Sequence, residues 1–127
     1  MNMTMAIPVI RVSSSIAAAA FYGSKLGFSQ VFAYRPDASK EDPCYMGLSR
    51  GSVLIHVSSF EANGPTGVSA AFIVANVDAL HSEFLNRGIE IHMAPTDQTW
   101  GNREMYLRDP DNNKLAFIQE RAEPSKN

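Results

Sequence analysis

The spacing of apolar and polar residues changes period along the first half of the chain, and the second half repeats the order of those changes. Ile7 to Val12 is a short β-rich run, followed by Ser13, Ser14 and Ser15, three residues able to cap a helix start. Ile16 to Lys25 has helical spacing, with Ile16, Ala20, Phe21 and Leu26 near one face. Gly27 stands where a helix stops in the left-handed conformation, and Phe28 to Tyr34 reads as a strand. Cys44–Ser49 and Ser52–Ser58 are two further strand-like runs around the turn at Arg50-Gly51. In the second half, Ser69–Val74 predicts a strand, Asn76 a cap, and Val77–Arg87 a helix offering Val77, Leu80, Phe84 and Leu85 to a core. Gly88 stops it as Gly27 stops the first. Ile89–Met93, Arg103–Arg108 and Lys114–Glu120 complete the strands, the last two joined by the turn Asp109-Pro110-Asp111-Asn112-Asn113.

Each half is therefore βαβββ. Module one spans about 5–59 and module two about 69–121, with 60–68 as the link, within a single domain of residues 1–127. Arg35–Pro43 reads as a loop and Ala122–Asn127 as a frayed tail. One such module cannot cover both faces of its own sheet. Two together predict an α+β fold: a curved mixed sheet with helices on one side and a concave cup on the other. Because neighbours on a strand point to opposite faces, the sides can be sorted. Ile10, Val12, Phe72 and Val74 go under the helices, with Val53, Ile55, Val57, Leu115 and Phe117. The cup face then takes Ile7, Val9, Arg11, Leu54, His56 and Ser58 from module one. From module two it takes Ser69, Ala71, Ile73, Lys114, Ala116 and Ile118.

Composition narrows the picture. The 127 residues are 45% apolar and 19% charged, enough for one ordinary core. A net charge of −2 leaves no basic footprint for nucleic acid or an anionic membrane surface. The single cysteine, Cys44, excludes an internal disulfide and suits a reducing compartment. No apolar run reaches the ~18 residues of a spanning helix, and the start lacks a basic secretory n-region. These features predict a soluble cytoplasmic chain.

Several stretches together resemble the vicinal-oxygen-chelate superfamily, the glyoxalase, bleomycin-resistance and extradiol-dioxygenase group. They are Phe21-Tyr22 with Leu26-Gly27-Phe28, then Trp100-Gly101-Asn102-Arg103-Glu104-Met105-Tyr106-Leu107-Arg108-Asp109-Pro110-Asp111-Asn112, and finally Leu115-Ala116-Phe117-Ile118-Gln119. The likeness runs from about Ile7 to Glu120. Enzymes of that family hold a metal in the cup with His or Glu on the first and last strands of each module. Those positions correspond to Ile7, His56, Ser69 and Ala116, of which only His56 is a good ligand. A divalent site needs several converging N or O ligands, so His56 stays a weak metal candidate and no cofactor is expected. The resemblance then implies the metal-free bleomycin-resistance branch, non-enzymatic proteins that bind and sequester a drug. It also implies a homodimer with exchanged modules, in which the cup lies between subunits.

The ligand-binding candidates are Trp100, Phe32, His56, Arg11, Glu104, Met46 and Met105. Trp100, the only tryptophan, offers a large flat face at the cup rim. The resemblance to bleomycin-binding proteins, in which an aromatic of this stretch and one from a module-one strand flank the drug, implies Phe32 as its counterpart. His56 would sit deeper, hydrogen-bonded to Ser58 or Ser69. Arg11 projects into the cup and needs either Glu104 or an anionic ligand as partner. Met46 and Met105 are expected to line or underlie the cup as adaptable apolar surface, with core filling as the default alternative. His81 and His92 read as surface residues, Cys44 as a small packing residue, and the Asp-rich turn as a turn rather than a calcium loop. The expected function is binding of an aromatic or amphipathic small molecule. The alternative is a metal-dependent glyoxalase- or dioxygenase-like enzyme with displaced ligands, for instance His56 with Glu104. A regulatory protein with a vestigial cup is a third reading.

Overall fold

The computed structural model describes residues 2–121. Strand β1 (Val9–Arg11) leads to helix α1 (Ser15–Ala18), which widens into a π-helical stretch over Ala19–Lys25. Ser14 caps it, its side chain accepting from the Ala17 N–H. Strands β2 (Ser29–Tyr34), β3 (Tyr45–Arg50) and β4 (Val53–Ser58) complete the first module. A 3₁₀ turn at Glu61–Asn63 lies in the link. The second module runs β5 (Ser69–Ile73), α2 (Val77–Asn86), β6 (Met93–Asp97), β7 (Arg103–Arg108) and β8 (Lys114–Gln119). Asn76 caps α2 by accepting from the Ala79 N–H. The 122–127 tail, expected to fray, lies outside the described residues.

Both helices end at the expected glycines. At Gly88 (φ 73°) the Gly88 N–H bonds the Leu85 carbonyl and the Ile89 N–H bonds the Phe84 carbonyl. This is the Schellman pattern, in which the residue after the glycine packs back on the helix, and Ile89 is accordingly buried. That closure corrects one expectation. Ile89–Met93 is not a strand: Ile89 belongs to the helix stop, and the strand begins at Met93. Pro95 is accommodated where the β6–β7 register shifts between Met93 and Thr96, at the sheet edge.

The two modules form separate four-stranded mixed sheets, ordered β1-β4-β3-β2 and β5-β8-β7-β6, rather than one hydrogen-bonded sheet. In each, the first strand pairs parallel with the last and the remaining pairs are antiparallel. One face of each sheet is apolar and buried: Ile10, Met46, Leu48, Ile55 and Val57 in the first, Phe72, Met105, Leu107, Leu115 and Phe117 in the second. With Tyr22, Leu26, Phe28 and Phe84 from the helices and their ends they make a single cluster shared by both modules.

Polar ties also cross between modules. The Tyr22 hydroxyl donates to Asp109 at 2.8 Å, Ser13 donates through its hydroxyl and N–H to Asp111, and the Asn113 amide donates to the Arg11 carbonyl. Asn113 Oδ1 also accepts the Gly67 and Val68 N–H groups. The Asp-rich turn is thus a turn, as expected, and additionally a buried junction.

Candidate functional site

The faces opposite the shared core carry the chemistry. In module one, register aligns Val9 with His56 and Gly47, and Arg11 with Ser58 and Tyr45, so all of these lie on one face. Phe32 pairs with Gly47, and a methyl group on Gly47 would overlap the Phe32 ring. Glycine is needed there for close approach rather than for backbone freedom. Phe32 lies nearly parallel to Tyr45, with centroids 6.3 Å apart, and edge-on to His56 at 5.4 Å. His56 Nδ1 is 2.8 Å from the Tyr45 hydroxyl. Beside this cluster Tyr34 stacks on Phe60.

Module two presents a second aromatic group. Glu104 on β7 is only 5% exposed and accepts two hydrogen bonds, from Trp100 Nε1 at 2.8 Å and from the Tyr106 hydroxyl at 2.6 Å. That bond to the carboxylate, followed by burial, raises the Tyr106 phenol above its ordinary value. Lys114 Nζ sits 4.0 Å above the Tyr106 ring. One carboxylate therefore fixes an indole and a phenol, while the indole face stays open at 62% exposure.

The structure places Phe32, His56 and Arg11 on the open face of the first sheet and Trp100 with Glu104 on that of the second. Three expectations are corrected. Met46 and Met105 are 1% and 0% exposed and sit in the core, not in the cup, because Met46 pairs with Val57 and Met105 with Phe117 on the apolar rows. His56 bonds Tyr45, not Ser58 or Ser69. Arg11 does not pair with Glu104, whose oxygens are held by Trp100 and Tyr106. Its Nη1 instead contacts the Val12 carbonyl, and its Nε is buried without a hydrogen-bond partner. Sequence reasoning missed Tyr45, Tyr106 and their roles. Alternation against Met46 on β3, and against Met105 on β7, carried that signal.

The donor set around His56 does not fit a divalent metal. Its row neighbours Val9 and Gly47 offer no side-chain ligand, and Tyr45 is already engaged. Among the described residues no three His, Cys, Asp or Glu side chains converge. Cys44 is fully buried and free, as expected for a packing residue. His81 is partly buried, less exposed than expected, and His92 is exposed. No helix among the described residues is long and apolar enough to cross a membrane.

An α+β fold of two βαβββ modules, with aromatic clusters on the faces opposite the helices, defines a narrow structural class. The family model for the glyoxalase/bleomycin resistance protein/dioxygenase superfamily matches residues 4–117, and the chain belongs to that family. A bleomycin-binding protein crystallised with bleomycin is 26% identical, with a TM-score of 0.75 over 94% of this chain and 100% of that one. The bleomycin resistance determinant encoded on the transposon Tn5 is also 26% identical, with a TM-score of 0.75 over 93% of this chain and 98% of that one. A virulence protein from Salmonella typhimurium is 27% identical, with a TM-score of 0.71 over 95% of this chain and 100% of that one. No curated protein sequence matches the chain.

Proposed function

We propose that the chain binds, and sequesters, a flat aromatic or amphipathic small molecule between its two aromatic faces, without a metal. The observation that carries this reading is the pair of aromatic groups: Trp100, held by Glu104 yet open on its face, and Phe32, packed against the hydrogen-bonded Tyr45–His56 pair. Apolar walls with a few placed polar groups are what such a pocket requires. The bleomycin-binding neighbours support the class of ligand. Bleomycin itself is a weaker fit, since a net charge of −2 gives no strongly acidic groove for a cationic drug.

The reading includes a homodimer. No ring contact or hydrogen bond among the described residues joins the Phe32 group to the Trp100 group within one chain. Strands β1 and β5 are each paired on one side only, and Val9 and Ile73 on them are 39% and 59% exposed. Such edges are normally covered. Placing module one of one protomer against module two of its partner would cover them and bring the two aromatic groups together.

A thermal-shift screen of flat aromatic and amphipathic compounds, bleomycin included, run beside metal analysis of protein purified without chelator, tests the proposal. It expects a compound that raises the melting temperature and quenches Trp100 emission, with no stoichiometric metal. Stoichiometric Zn, Ni, Fe or Mn that disappears in His56→Ala would favour the displaced-ligand enzyme instead.

A further inference from the structure

On the helix side, away from Phe32, His56, Trp100 and Glu104, a groove of about 310 Å³ runs between the modules. Helix α2 and its N-cap contribute Asn76, Ala79, Leu80 and Glu83 to its wall. These lie at i, i+3, i+4 and i+7, a single stripe about 10 Å long at 1.5 Å per residue. The facing wall is Leu26, Phe28, Arg50 and Val53 of module one. Its floor is aromatic: Phe72 stacks on Phe117 at 5.2 Å, and Phe28 and Phe84 meet these rings edge-on at 6.3 and 5.5 Å.

The groove is polar at the Glu83 end. Arg50 donates through Nη1 and Nη2 to the Glu83 carboxylate, 2.9 Å each, and through Nη1 to the Leu26 carbonyl at 2.8 Å. Arg87 Nη1 lies 3.0 Å from the same carboxylate. Two guanidiniums thus share one carboxylate, leaving a net positive charge at this end. Among the described residues, Arg50 Nε and the second Nη2 proton have no protein partner. Those two N–H groups form the side-on edge of the guanidinium fork, a geometry that takes a carboxylate in bidentate fashion. Arg50 and Glu83 side chains are 36% and 30% exposed, so a charged head here keeps part of its hydration while a tail enters the groove.

We propose that this groove is a second binding site, for a monocarboxylate with an apolar tail, whose head takes the Nε/Nη2 edge of Arg50 and whose tail lies along α2 over the phenylalanine rings. It uses none of the Phe32 or Trp100 groups, and the one residue it shares with the cup reading is Ile73, at the β5 edge. The volume stands at the lower end of small-molecule pockets, which favours a slender tail over a fused ring system.

Calorimetry on the full chain with submicellar decanoate, and with decan-1-ol as the uncharged control, tests it. Decanoate is expected to bind. Arg50→Gln should weaken decanoate about tenfold or more, the loss of a charge-assisted pair, and leave decan-1-ol little changed. Ala79→Phe, placing a ring into the groove from an exposed helix position, should abolish binding of both. Trp100→Ala should leave decanoate affinity unchanged. The site is wrong if decanoate fails to bind at millimolar concentration, survives Ala79→Phe, or is lost in Trp100→Ala. Equal weakening of decanoate and decan-1-ol in Arg50→Gln overturns the carboxylate assignment.

Discussion

Phe32 and Trp100 are held in place by different means. Phe32 owes its position to the missing side chain at Gly47, so Gly47→Ala should push the ring off the sheet or bend the strand. Overpacking of this kind costs about 1–3 kcal/mol, and a urea melt should show the midpoint falling accordingly. An unchanged midpoint would mean that Phe32 has other resting places. Trp100 owes its orientation to Glu104, which Tyr106 also engages. Removing the carboxylate charge in Glu104→Gln should return the Tyr106 phenol toward its ordinary value of 10.0. Spectrophotometric titration of Glu104→Gln against Glu104→Gln/Tyr106→Phe isolates that phenol. An undiminished upward shift would contradict the role given to Glu104. Strand parity put His56 on the open face, where the structure has it, whereas Trp100, a turn residue, and Phe32 were candidates through the family resemblance. Met46 and Met105 were misplaced because their side chemistry suits either face, and parity alone, read on the neighbouring rows, decides it.

Among the elements, the helices were the most legible, since caps and glycine stops leave sharp marks. Their interiors were less so. The π-widened stretch over Ala19–Lys25 buries Tyr22 and packs Phe21 on the core, and the apolar spacing that predicts a helix does not distinguish it from an α-helix. The sixth strand was displaced because Ile89 and Ile91 alternate like a strand, whereas the burial of Ile89 serves the end of α2. That helix is also tied to module one by Glu83. The Arg50 hydrogen bonds, against an opposing effect of burial and aided by the Arg50 and Arg87 charges, hold the Glu83 carboxyl below its ordinary 4.5. A carboxyl held low when folded stabilises the protein above its unfolded pKa. That contribution is lost as pH falls through the lowered value. The Glu83 contribution should therefore be steady from neutral pH down to about 5 and decline below about 4.5. In Glu83→Gln the loss of stability with acid should be shallower. Parallel acid-unfolding curves for the two proteins would remove Glu83 from this account.

At the scale of the molecule, the Tyr22–Asp109 bond spans the modules, and burial with the Asp109 charge pushes the Tyr22 phenol far above its usual range. Tyr22→Phe should cost about 1–3 kcal/mol in a denaturant melt, the penalty of a buried acceptor losing one donor. A loss near zero would mean that Asp109 is satisfied by the Asp111 and Asn113 donors alone. The unpaired edges of β1 and β5 bear on assembly. Light scattering at micromolar concentration should give twice the 13.9 kDa chain, and Ile73→Lys should halve that mass. A wild-type monomer would contradict the shared cup. The repeat made the module architecture legible, but strand spacing and parity do not say whether the sheets join each other or a partner's, and the exchanged dimer is an expectation from the family resemblance alone.

The binding claim itself is tested most directly by calorimetry with the compound giving the largest thermal shift, on wild type, Trp100→Ala and Phe32→Ala. Stacking on an aromatic face contributes about 1 kcal/mol beyond area burial. Each variant should therefore bind about tenfold more weakly or worse, once the lost contact area is included. Trp100→Phe should keep part of the affinity. If Trp100→Ala and Phe32→Ala both bind that compound as tightly as wild type, the aromatic faces are not the site.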